Sequence, residues 1–437
     1  MTECNTELSK FPRLSQRTIS ADFNGGDITS DGGLPLIAAL DKKLKLTESV
    51  AALLPDKRDQ SHCNYSMREL LRQRVYALAA GYEDLNDHEQ LRYDLSLQTS
   101  VGRREHLSSS STLCRLENSA TREHAVLIHQ VIIEQFIKSF DKPPAELILD
   151  FDATDDRVYG NQEKKFFHGY YDHYCFLPLY VFCGEQLLVS YLRPARIDGA
   201  KHAGAILKLL VQRLRTEWPD AKIIYRGDSG FCREKVLLWC DLYNVDYIVG
   251  YAKNPRVSRH AQNYIDQAEE DHHESGCMSR IIGDFEYKAL KWKGTRRTII
   301  RIQHDSKGAN PRFIVTSLPN EAGYLYDDIY CARGDMENRI KEQQLDLFAD
   351  RTSCNHWWAN QFRLMLSSLA YNLMERLRNL LLIGTRMAKA QCGTIRLKLI
   401  KVAAVMTRNT RKVYFHYSES YAHKTLFALV WKRLSKL

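Results

Sequence analysis

No Cys-x-x-Cys pair occurs in the chain, and its eleven cysteines are scattered and odd in number. That argues against both a disulfide framework and a zinc site built from cysteine pairs. DHHESGC (271–277) holds metal-ligating residue types, but it reads as a polar loop. No uncharged apolar run approaches the length of a membrane span. The first residues, MTECNTELSKFPRL, lack the basic-then-apolar pattern of a secretory signal. The expectation is a cytoplasmic protein with no membrane partner.

What is present is an uneven charge. The net charge of +9 falls on the last stretch: residues 384–437 hold twelve Lys or Arg against one acid, Glu419. By subtraction residues 1–383 sum to about −2. A basic segment on a near-neutral body suggests a polyanionic partner, most simply nucleic acid. The apolar residues interleaved with its cations suggest a folded element. At 437 residues the chain is long enough for two or three domains.

Residues 1–20 read as a leader with little periodicity, and DFNGGDITSDGG (22–33) is turn-rich. A helix is expected from Leu34 to about Leu46. A second follows Ser66, where Glu69 completes a capping-box pattern and Gly81 offers a stop. Residues 106–140 read as a short helix and then a long one from about Thr121, a weak helix-turn-helix signal. Residues 1–142 are thus expected to form a mostly helical domain able to bind DNA ends, with Pro143 and Pro144 at its boundary.

From Glu146 the pattern changes. LILDFDAT (147–154) reads as a buried strand interrupted by acids; 174–184 and 186–194 read as a pair turning at Gly184–Glu185. A helix over 201–217, a strand over 222–230, a helix over CREKVLLWCDLYN and a strand over 246–252 complete the order β-β-β-α-β-α-β. Three antiparallel strands followed by α/β units is the layout of an RNase H-like mixed sheet. Residues 253–320 alternate like an added antiparallel sheet, a β-rich insertion. Residues 353–382 read as a long buried helix.

Residues 327–348 read as one helix on which Tyr330, Arg333, Glu337 and Lys341 share a stripe, with Ile329, Met336, Ile340 and Leu347 as an apolar stripe beside it. Asp150 and Asp152 share one strand face by period two, and an apolar strand would not carry two carboxylates without partners. Asp228 ends the fourth strand. In the RNase H layout the first and fourth strands are neighbours, so Asp152 and Asp228 face each other across about 4.8 Å. Glu337 can complete the cluster. Mutual repulsion of three carboxylates is resolved by divalent cations, and Mg²⁺ prefers such oxygen ligands. Two ions about 4 Å apart suit phosphodiester displacement. Arg333 can pair with a phosphate and Tyr330 can stack on a base or sugar.

LDFDATD, YRGDSGF and YCARGDMENRIKEQ together resemble the three blocks of a DDE transposase of bacterial insertion sequences, of the Y-(2)-R-(3)-E-(6)-K type, over residues 145–383. By that resemblance Asp152, in an Asp-x-Thr frame with Thr154, matches the first catalytic and metal-binding acid, Asp228 the second and Glu337 the third. Tyr330 and Arg333 match the first two letters of the signature. The signature lysine falls on Gln344, with Lys341 one turn nearer as a substitute. Asp150 shares the face of Asp152 and is the other candidate for the first ligand.

The resemblance implies a homodimer that binds the terminal inverted repeats, cuts each DNA end with two Mg²⁺ ions (Mn²⁺ can substitute), and joins the freed 3′-hydroxyl to target DNA. It implies a nucleoid-associated bacterial protein. Trp292 is the candidate to hold a flipped base if a hairpin intermediate forms. KKFFHGYYDHY (164–174), basic then aromatic, is a further DNA contact or an aromatic cluster under the sheet. Residues 384–437 are assigned to DNA contact or dimerisation. The competing readings are an RNase H-like nuclease or resolvase that does not join ends, and an inactive DNA-binding relative. The basic segment argues against a glycosidase with paired carboxylates.

Overall fold

Leu147, Leu149 and Phe151 alternate with Ile148, Asp150 and Asp152 along one strand, β1 (Glu146–Ala153). The first set packs into a large core on one side of a sheet, while Ile148 packs into a smaller one on the other side. Both aspartates therefore belong to the second face.

The computed structural model describes residues 9–437. Residues 1–8 of the expected leader lie outside the described residues; the remainder forms a hairpin, Ser9–Leu14 with Arg17–Ala21, where little periodicity had been read. By its contacts the chain divides into two units.

The larger unit, 52–55 and 116–375, is built on a mixed sheet of eight strands. After β1 come β2 (Leu179–Cys183), β3 (Gln186–Tyr191), β4 (Lys222–Gly227), β5 (Asp246–Tyr251), β6 (Ser279–Tyr287), β7 (Arg296–Asp305) and β8 (Gly308–Thr316). Their spatial order is β6-β7-β8-β5-β4-β1-β2-β3. The first three strands are antiparallel, and β1, β4 and β5 run parallel. The first and fourth strands are neighbours, as the expected layout requires.

Helix α1 (Arg122–Ile137) belongs to this unit. Its residues Ile128, Val131, Ile132 and Phe136 are buried, His129 accepts the Ser190 N–H, and Phe136 meets Trp218 edge to face. The boundary therefore falls near residue 115, not at 142, because that apolar stripe seeks the sheet. Helices α2 (Ala203–Glu217) and α3 (Glu234–Leu242) are amphipathic crossovers, and Leu207, Leu210 and Leu237 join the large core.

Residues 253–320 differ from the expected insertion. They open with helices Pro255–His260 and Gln262–Ser275, so DHHES is the end of a helix and not a loop. Their three strands extend the main sheet: β8 pairs antiparallel with β5, Ile248 opposite Thr316. The edge of β5 offers unpaired backbone groups. Strand β7 is apolar on both faces, with Ile299 in one core and Ile300 and Ile302 in the other, so it belongs inside a covered sheet. The expected strand over 174–184 breaks at Leu177–Pro178, where proline cannot donate to a ladder. Its first half joins a small sheet of Asp156–Arg157, His173–Phe176 and Phe166–His168.

The smaller unit takes residues up to Ala51, Asp56–Arg115 and Arg376–Leu437. The basic C-terminal segment is thus no separate region. Its strands Ala404–Arg408 and Val413–Tyr417 take Asp27–Thr29 as a third strand. Gly33 lies so close to this segment that a Cβ there would sit 1.8 Å from the Leu399 carbonyl oxygen. Helix Met67–Ala80 carries the full capping box of Ser66 and Glu69, and Gly81 closes it at φ +92°.

Candidate functional site

Pairing of β1 with β4 sets the site. Arg226 stands opposite Asp150 and Gly227 opposite Phe151, so one step further along that register Asp228 follows beside Asp152. The two aspartates of β1 then part company. Asp150 is buried, and Arg226 clasps it with both nitrogens of its fork: Nη2 donates to Oδ2 at 2.6 Å and Nε donates to Oδ1. Arg226 Nη1 also donates to the Ile329 carbonyl. Burial pushes the Asp150 carboxyl up and Arg226 pulls it back. Both its oxygens are committed to the interior. Arg226 was missed from sequence, although its place two residues before Asp228 mirrors Asp150 before Asp152.

Asp152 stays half-buried at the strand end, where the Ala153 N–H donates to Oδ1 at 2.9 Å. Its carboxyl is pushed up to about 7, chiefly by burial, with Arg333 working downward and the charges of Asp228 and Glu337 adding to the rise. Those couplings tie Asp152, Asp228 and Glu337 to one electrostatic locus. Asp228 is fixed by capping the turn Ser229–Phe231, with the Gly230 N–H donating to Oδ1 at 2.8 Å.

Glu337 and Arg333 lie on helix α4 (Arg333–Leu347), held down by buried Met336, Ile340 and Leu347. Arg333 Nη1 stands 3.4 Å from Asp152 Oδ2, and Nη2 stands 2.5 Å from Glu337 Oε1. One guanidinium thus bridges the first and third acids. The expected continuous helix over 327–348 is broken: Leu325–Tyr330 winds as a wide π-turn before α4 begins. Such turns are frequent at functional sites. Burial pushes the Tyr330 hydroxyl up to about 12. That hydroxyl lies over Gly250 of β5, where an added Cβ would come within 2.6 Å of it and 2.7 Å of the Ser229 nitrogen. Gly250 is a second residue missed from sequence; its signal was a glycine inside an apolar strand.

Gln344 Nε2 donates to the Asp155 carbonyl at 3.2 Å, so the position of the signature lysine ties α4 to the loop after β1. Lys341 is exposed, one turn beyond Glu337. Trp292 is only 7% exposed and packs between Tyr251 and Tyr287 at 5.2 and 5.8 Å. That aromatic core leaves little of its ring for a base to stack on. KKFFHGYYDHY folds into the hairpin of the small sheet, with Phe167, Tyr170 and Tyr174 exposed. Burial and the charges of Asp155 and Asp152 push the Tyr171 hydroxyl of this hairpin up to about 12.

Three carboxylates are the donor set a hard divalent cation takes. Among the described residues no three acidic, histidine or cysteine side chains lie close enough to hold an ion as they stand. The Arg333 guanidinium stands between Asp152 and Glu337, 3.4 Å from one and 2.5 Å from the other, and sets a positive charge beside both.

The family model for the transposase DDE domain group 1 matches residues 11–437. Among solved structures, the piggyBac transposase in its synaptic complex with hairpin DNA is similar at a TM-score of 0.44 and 12% identity, over 93% of this chain and 82% of that one. No curated protein matches the chain. No helix among the described residues is long and apolar enough to cross a membrane.

Proposed function

The chain belongs to the transposase DDE domain group 1 family, and we propose that it cuts and joins DNA at the site formed by Asp152, Asp228 and Glu337. The observation that carries this reading is the convergence of a strand end, a turn and a helix on one electrostatic locus bridged by Arg333. The sheet around it, with antiparallel β1–β3 and β4 beside β1, supports an RNase H-like catalytic core.

In this reading Asp152, Asp228 and Glu337 hold two divalent cations, Mg²⁺ or Mn²⁺. When bound, such ions activate a water or a 3′-hydroxyl and stabilise the leaving oxygen of a phosphodiester. Asp150 neutralises Arg226 beneath the site and keeps the ends of β1 and β4 level. Arg333 turns from the carboxylates to the scissile phosphate, a bidentate task suited to a guanidinium. Tyr330, braced over Gly250, supports the turn from which α4 departs. Lys341 and the exposed aromatics of 166–174 contact the DNA strand beside the cut. The substrates are the terminal inverted repeats of an insertion sequence and target DNA, brought together by a homodimer on the bacterial nucleoid.

The test is cleavage of a labelled duplex bearing the element's own end, with Mg²⁺ or Mn²⁺, using the native chain, Asp228→Asn and Glu337→Gln. Nicking at the repeat boundary that needs metal and is lost in both variants supports the site. Cutting without joining to a target duplex would move the assignment to a nuclease or resolvase. End binding without cutting by any of the three proteins would leave an inactive DNA-binding relative.

A further inference from the structure

Two groups stand out among the cations of the C-terminal segment. Several serve the fold of their own unit. Arg396 Nε donates to the Ala79 carbonyl at 2.9 Å, Lys401 Nζ lies 2.8 Å from Asp31 Oδ1, and Arg433 donates to the carbonyls of Leu381 and Ile383. Three others gather at the tip of the hairpin formed by strands Ala404–Arg408 and Val413–Tyr417. There Arg408, Arg411 and Lys412 meet Arg103 and Arg104, which follow helix Leu95–Val101, around a cleft of about 620 Å³. No acid lines that cleft among the described residues. Arg103 has partners in Glu69 at 3.1 Å and Glu105 at 3.6 Å. Arg104, Arg408, Arg411 and Lys412 have no acidic partner among the described residues.

The tip is a built feature. Asn409 Oδ1 accepts the N–H groups of Arg411 and Lys412 at 2.9 and 2.8 Å, and the Asn409 N–H donates to the Lys412 carbonyl at 2.9 Å. Arg408 Nη1 donates to the Arg104 carbonyl at 3.4 Å, which links the hairpin to the other wall. Four like charges on a concave, fixed surface focus a positive potential, and the ligand that answers it is a polyanion. The outward face of the hairpin continues from the tip with Thr407, Tyr414 and His416; Tyr414 is 43% exposed and stacks on His416. A rigid two-stranded ribbon with a cationic tip and an exposed aromatic face has the form of a β-ribbon that meets a duplex groove.

We propose that this cleft and hairpin tip bind the phosphate backbone of duplex DNA, with Arg104, Arg408, Arg411 and Lys412 as the phosphate contacts. The inference rests on the DNA reading above and adds to it a surface away from the three acids. Phosphate contacts of this kind set register and orientation and carry no base code themselves.

The experiment is fluorescence anisotropy of the full chain with a labelled random-sequence duplex, in titrations at several salt concentrations. Each lost phosphate contact lowers the slope of log affinity against log salt by about 0.9. The double variant Arg411→Gln/Lys412→Gln is expected to lower it by about 2 and to weaken binding at least tenfold at moderate salt, as an order of magnitude. Its circular dichroism and melting temperature stay unchanged, because both side chains are exposed. The control is Lys42→Gln/Lys43→Gln, an equal loss of charge on exposed positions of helix Leu34–Leu44 in the same unit. The control is expected to keep the native slope. A tip variant that binds with the native slope, or a control that loses as much as the tip variant, overturns the proposal while DNA binding itself stands. A native chain that binds no duplex at any salt overturns both this surface and the DNA reading.

Discussion

Arg333 holds Asp152 through Nη1 at 3.4 Å while its Nη2 holds Glu337 at 2.5 Å, so a single side chain bridges two of the three acids. A cation bound by those acids and this guanidinium compete for the same oxygens. Removing the guanidinium leaves like charges facing one another. Arg333→Ala is expected to cost about 1–2 kcal/mol of stability in the presence of a chelator, below the full penalty for breaking a buried pair because Glu337 is partly exposed. Added Mg²⁺ then raises the melting temperature of the variant by more than it raises that of the native protein. Equal metal responses in thermal melts would show that Arg333 does not share the acids with a cation.

Asp150 and Asp228 separate a structural carboxylate from one proposed for chemistry. Asp150→Asn leaves Arg226 charged and buried with half its partner gone. The expected loss is about 3 kcal/mol, read by urea denaturation. Asp228→Asn keeps a side-chain oxygen for the Gly230 N–H, so its stability changes by less than about 1 kcal/mol while cleavage falls below detection. If the effects came out exchanged, with Asp150→Asn folded but inactive, Asp150 would replace Asp152 as the first acid.

Gly250 makes a steric prediction. An added methyl meets the Tyr330 hydroxyl oxygen at 2.6 Å and the Ser229 nitrogen at 2.7 Å. Gly250→Ala is expected to cost about 1–3 kcal/mol and to push Ser229, and with it Asp228, out of register. Removing the hydroxyl in Gly250→Ala/Tyr330→Phe relieves only the first contact, because the second is with backbone. The double variant should therefore recover less than half of the lost stability. Full recovery would mean that Tyr330 alone makes the glycine necessary.

Local signals were the legible ones. The alternation in LILDFDAT, the Ser66–Glu69 capping box and the stripe of Met336, Ile340 and Leu347 each lie within a few residues; the first two form the elements they predict, and the third forms a helix that starts at Arg333 instead of residue 327. What escaped depends on partners distant in sequence. Strands β6–β8 look like any antiparallel set, and nothing local says that β8 will find the edge of β5. The stretch 174–184 is apolar throughout, and only the proline marks where it changes sheets. Residues 384–437 read as a basic appendage because their third strand, Asp27–Thr29, lies at the other end of the chain. At the site, the same face assignment that singled out Asp150 and Asp152 left both open. The Arg226 fork distinguishes them, and its partner is known only once β1 and β4 are in register.

His88 gives the smaller unit a pH dependence. It is fully buried, with Gln73 Nε2 at 3.1 Å from Nδ1 and Arg74 Nη1 at 3.2 Å from Nε2. Burial, and then the neighbouring Arg74 charge, hold its pKa well below the ordinary value of 6.5. The folded state therefore keeps His88 neutral where the unfolded chain already binds a proton. Stability contributed by the neutral ring is complete above the ordinary histidine range. It is lost as the pH falls below that range toward the depressed folded value, at up to about 1.4 kcal/mol per pH unit. The opposite sign, more stability in acid, would require a partner that accepts from His⁺ at Nε2, and Arg74 there can only donate. His88→Gln cannot take up that proton, so its urea midpoint should fall less steeply than that of the native protein between neutral pH and about pH 5. Parallel pH profiles for the two proteins would place the acid sensitivity elsewhere.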